Sequence, residues 1–158
     1  MMRNIRSKFK ILPFFTAIGL IFFGFFLFYI CLVSPLATIV LPVLFLLFVA
    51  YFWLTEFRTR AHKISVNTDF ISVCKLFGLG RSEVYDFKKL DGFEISIQSG
   101  KSGSFEFLFV LKNGKRVACI SNFYHSNYGE LKKILLENLS YFGVKKYSFK
   151  EEYSQMFK

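Results

Sequence analysis

Paired basic side chains are the residues with most to offer a ligand: Lys88-Lys89, Lys115-Arg116, Lys132-Lys133 and Lys145-Lys146. Adjacent cations attract phosphate or carboxylate groups, so these pairs are candidate contacts for anionic lipid headgroups or for a protein partner. Other chemical candidates are thin. His62 beside Lys63, and His125 between Tyr124 and Ser126, have no acid or cysteine at ligand spacing. The expectation is two surface or turn histidines and no metal site. Ser99-Gly100-Lys101-Ser102-Gly103 lacks the G-x-x-x-x-G-K-[ST] spacing and precedes no helix, which leaves a hairpin tip rather than a phosphate loop. Asp86, Asp91 and Glu94 have no second convergent cluster and read as solvated carboxylates. With no paired acid and base, nucleophile or metal set, no catalytic residue and no cofactor are expected, and the chain is not read as an enzyme.

The elements that must position these side chains divide sharply. No charge occurs from Ile11 to Thr55, and Ser34-Pro35 splits that gap into Ile11 to Val33 and Leu36 to Leu54. Each stretch reaches the ~20 apolar residues that cross ~30 Å of hydrocarbon. A cleavable signal would carry a shorter apolar core and an A-x-A-like exit, both lacking here. A run such as Ile21 to Phe28 is apolar on every face, and the remaining chain is too short to enclose two such helices. Residues 11–55 therefore read as a membrane hairpin, with Pro42 expected to kink its second helix.

Arg3, Arg6, Lys8 and Lys10 precede the first span, Arg58, Arg60 and Lys63 follow the second, and the connection carries no basic residue. The positive-inside rule then places both termini and the soluble domain in the cytoplasm, in a multi-pass protein of a bacterial inner membrane. Tyr51, Trp53, Arg58 and Arg60 are the expected interfacial anchors. The net charge of +10 suits a domain held near an anionic leaflet and requires no nucleic acid. Cys31, Cys74 and Cys119 show no C-x-x-C or Cys/His spacing and read as buried thiols in a reducing compartment.

Beyond Arg58 the pattern is of short strands and one helix. His62 to Val66, Phe70 to Phe77, Glu83 to Phe87, Phe93 to Gln98, Phe105 to Lys112 and Arg116 to Ser121 carry β-branched or aromatic residues between turn signals. Asn113-Gly114 is the strongest hairpin signal among them. Phe105 to Leu111 is apolar almost throughout and reads as a central strand covered on both faces. A helix is expected over Tyr128 to Phe142, capped by Asn127 and ended by a left-handed Gly143. Leu131 and Leu135 lie on its apolar stripe, Lys132 and Lys133 on the exposed face. Domain organisation follows: 1–10 a basic tail, 11–55 the hairpin, 60–143 the folded domain, and 144–158 a C-terminal tail that adds an edge strand or lies on the domain.

The run His62 to Ile71, with its polar turn Asn67-Thr68-Asp69, followed by Tyr85 to Phe93, the Asn113-Gly114-Lys115-Arg116 hairpin and the Glu130-Leu131 helix, resembles the bacterial pleckstrin-homology-like (PH-like) domain. That resemblance implies an α+β fold in which a partly open antiparallel β-barrel is capped by one C-terminal helix. It also implies binding or scaffolding rather than chemistry. The acidic first turn argues against a phosphoinositide pocket there. Two functions are expected: an interaction or scaffold module that binds a protein partner at the membrane surface, or a small integral-membrane accessory, immunity or effector protein acting through its hairpin. A homo-oligomer is compatible with either.

Overall fold

The computed structural model describes residues 4–34, 39–100 and 103–146. Met1 to Arg3, Pro35 to Thr38, Lys101, Ser102 and the residues from Tyr147 onward lie outside the described residues.

Helices α1 (Ile11–Val33) and α2 (Val40–Arg60) are each long and apolar enough to span a membrane. Their faces carry Phe22 at 70% exposure and Leu47 at 62%, which only lipid or a further apolar surface can cover. Pro42 does not sit in mid-span. It lies in the first turn of α2, where a missing N–H breaks little of the ladder, and the irregularity comes instead at a π-helical stretch, Trp53–Phe57. The helix then continues past the apolar region to Arg60.

Two four-stranded sheets follow. The first runs β1 (Ile5–Arg6), β2 (Lys63–Val66), β3 (Phe70–Cys74), β4 (Ser82–Asp86), all antiparallel. The second has the order β7 (Lys115–Ser121), β6 (Gly103–Lys112), β5 (Gly92–Gly100), β8 (Tyr141–Lys146). Asn113 and Gly114 take φ of 51° and 69° between β6 and β7, the two-residue turn expected of this dipeptide. The N-terminal segment joins the domain: Ile5 and Arg6 pair with Val66 and Ser65, and the Asn127 side chain bonds Lys8 N–H and Arg6 carbonyl at 2.9 Å each.

These sheets do not close into a barrel. Closure requires β4 to meet β5, but the free edge of β5 is taken by β8, whose pairing is parallel. The C-terminal helix α3 is correspondingly shorter than expected, Tyr128–Asn138. Leu139 turns extended, and the aromatic and β-branched run from Tyr141 to Val144 prefers the sheet, where Tyr141 stacks on Phe93 at 5.2 Å. Gly143 does adopt φ of 95°, as a helix terminator would. It serves instead inside β8, beside the register shift between Phe93 and Ile95.

Alternation along the strands builds two cores from one sheet. Ile64, Ile71, Phe93, Leu108, Val110 and Ile120 face inward with Leu131 and Leu135 of α3. On the opposite face of the second sheet, Phe107, Phe109 and Cys119 pack with Phe57 and Ala61 from the end of α2 and Ala17 of α1. β6 is thus covered on both faces as its composition requires, with the helical hairpin supplying the second cover.

Candidate functional site

The junction between α2 and the domain is built from buried polar groups. Arg60 is 8% exposed, bonded to Glu56 at 3.1 Å and to Gln98 at 3.3 Å, with its guanidinium 4.8 Å from the Phe107 ring centroid. Tyr124 donates its hydroxyl to the same Glu56 oxygen at 3.1 Å. Burial, then the neighbouring Glu56, pushes the Tyr124 hydroxyl well above the ordinary tyrosine range.

His62 and His125 are interior residues, 4% and 1% exposed, which corrects their reading as surface or turn histidines. His62 Nδ1 accepts from Cys119 N–H at 2.9 Å, so its other nitrogen carries the proton and donates to Arg58 carbonyl at 2.9 Å. His125 sits likewise between Ser121 N–H at 3.2 Å and His62 carbonyl at 2.8 Å. Both rings satisfy backbone groups of the α2–β2 connection and β7. Burial lowers the His62 pKa to about 4 and pushes His125 the same way.

The carboxylates each have separate structural work. Asp86 accepts from Lys88 N–H at 2.9 Å to cap a short 3₁₀ turn, and Asp91 accepts from Gly114 N–H at 2.8 Å to pin the β6–β7 hairpin. Glu94, 1% exposed, bonds Arg116 and Lys145 at 2.8 Å each. Burial pushes its carboxyl up, but the two cations outweigh that and hold it below the usual range. Glu106 takes Lys132 at 2.7 Å and Tyr128 hydroxyl at 2.8 Å, and these two bonds lower its pKa.

The basic pairs are therefore split among different tasks. Arg116, Lys132 and Lys145 hold acids, while Lys88, Lys133 and Lys146 are exposed. Tyr51 and Arg58 are exposed toward the end of α2, and Trp53 packs edge-on against Phe57 at 5.2 Å. Two cavities among the described residues bear on these side chains. A larger one of about 520 Å³ gathers Arg58, Arg60, Lys75, Lys115 and Arg116. A smaller one of about 370 Å³ lies beside β4, between Phe70, Val84, Asp86, Lys89 and Lys112.

Compared with protein-family models, curated proteins and solved structures, the chain matches none. Function must therefore be argued from this geometry. Sequence reasoning missed the buried histidines and Glu94, although a lone carboxylate between Phe93 and Ile95 in a strand was itself a sign of a buried ion pair.

Proposed function

We propose that the protein is a membrane-anchored interaction module, a PH-like domain that binds a protein partner near the cytoplasmic face of the inner membrane and performs no chemistry. The two facing sheets with a helix after the last hairpin strand support the PH-like reading. One observation carries the binding reading: among the described residues β4 ends its sheet with no strand on its outer edge, and a cavity lies beside it. Phe87 N–H bonds Asp69 carbonyl, so alternation along β4 turns the backbone groups of Ser82, Val84 and Asp86 toward that open edge. An extended segment of a partner can add there as a fifth strand and seat an apolar side chain between Phe70 and Val84, which is 62% exposed. Glu83 and Asp86 on so short an edge discourage pairing between copies of the chain.

A photo-crosslinking amino acid in place of Val84 is expected to give a discrete protein adduct in membranes, and the same residue in place of exposed Lys133 none. Adducts from Phe22 or Leu47 without any from position 84 would instead favour an accessory or effector acting through its hairpin. The proposed orientation has its own check. Alkaline phosphatase fused after Lys158 is expected to show no periplasmic activity, and strong activity would overturn it.

A further inference from the structure

We infer that the larger cavity, where α2 leaves the membrane, binds the phosphate of an anionic lipid headgroup from the surrounding leaflet. It shares Tyr85 of β4 with the smaller cavity but does not depend on the partner proposed at the β4 edge.

The cations in its walls come from three elements: the end of α2 with Arg58 and Arg60, the segment after β3 with Lys75, and the β6–β7 hairpin with Lys115 and Arg116. No acidic side chain among the described residues lines the cavity. Arg60 and Arg116 carry their own carboxylates, Glu56 and Glu94. Arg58, Lys75 and Lys115 face the same space with no ion-pair partner among the described residues. Converging cations repel one another unless an anion sits between them, and a phosphate can accept from several at once. The hairpin is held in place by the Asp91 bond to Gly114 N–H, so Lys115 projects from a fixed turn. A volume of about 520 Å³ lies within the roughly 300–1,000 Å³ typical of ligand cavities.

Depth selects the source of the phosphate. Leu54, 59% exposed, is the last apolar outward residue of α2, and Arg58 follows four residues later, about 6 Å along the helix axis. The headgroup zone on each side of the ~30 Å hydrocarbon is on the order of 5–7 Å thick, so the cavity mouth lies level with lipid phosphates. The acidic first hairpin turn, Asn67-Thr68-Asp69, takes no part.

The test uses the full chain in detergent micelles, with retained lipid read by native mass spectrometry. The probes are phosphatidylglycerol, oleate as an anionic lipid without phosphate, and inorganic phosphate as competitor. The unaltered protein is expected to retain phosphatidylglycerol in preference to oleate. Lys75→Gln with Lys115→Gln should weaken that binding at least tenfold, and Lys115→Glu alone should weaken it in the same direction. Lys88→Gln with Lys133→Gln removes the same charge elsewhere and should leave it within twofold. Equal loss in both double variants would overturn the proposal in favour of general charge attraction. Unchanged binding in the first double variant, or no preference over oleate, would overturn the cavity as the site. Displacement by millimolar inorganic phosphate would overturn the lipid source.

Discussion

Leu135→Asp is expected to unfold the soluble domain, while Lys133→Asp, one face away on the same helix, leaves its melting temperature nearly unchanged. Leu135 is fully buried in the inner core, between α3 and the two sheets. An aspartate there loses the packing of a leucine and places a carboxyl among apolar side chains. Each term costs several kcal/mol, against the ~5–15 kcal/mol that holds a domain folded. Leu135→Ala separates the two, because it opens a cavity costing about 2–5 kcal/mol without burying a charge. Similar melting temperatures for Leu135→Asp and Lys133→Asp in the detergent-solubilised chain would mean that α3 does not close the core. Lys132 is not a neutral control, since replacing it by aspartate sets a carboxylate against Glu106, the acid it now pairs with.

Elements with a strong period or none at all were legible from sequence. The hairpin helices carry unbroken apolar runs of spanning length, and the strands from Lys63 to Ser121 carry β-branched and aromatic residues between turn signals, several with alternation. Features that depend on distant pairing were not. Ile5–Arg6 is a two-residue strand that exists because β2 offers it an edge. The end of α3 was misplaced because Tyr141 to Val144 fits a helix stripe and a strand equally well, and the open edge of β5 decided between them.

The junction was illegible for the same reason. His62 meets the amide of Cys119, 57 residues away, and His125 meets the carbonyl of His62, 63 residues away. No local spacing encodes either contact. Lys132 looked solvated because its acid, Glu106, lies on a strand 26 residues earlier. What composition did show was that β6 needed two covers. The second proved to be the end of α2, so the hairpin and the domain share a core instead of being joined by a loose tether.

That shared core makes the junction sensitive to acid. His62 is held neutral at both nitrogens, and a second proton on Nδ1 would face the Cys119 N–H that now donates to it. The charged groups around it, Lys75, Glu83 and His125, act less strongly than burial, which lowers its pKa from 6.5 to about 4. An unfolded His62 therefore takes up a proton below pH 6.5 that the folded one refuses until about pH 4. Stability is full above 6.5 and falls as pH falls through that window, by about 1.4 kcal/mol per pH unit and roughly 3 kcal/mol in all. His125 adds in the same direction. Glu94 and Glu106, both below the ordinary 4.5, lose their contribution only at more acid pH, so the upper window belongs to the histidines. Trp53, the one tryptophan, packs beside the shared core and reports its opening by fluorescence. The expected result is a melting temperature that drops between pH 7 and 5 in the full chain, with a shallower drop for His62→Asn, whose amide oxygen can still accept from Cys119. A melting temperature constant over that range would show that these histidines exchange protons freely and do not lock the domain to α2.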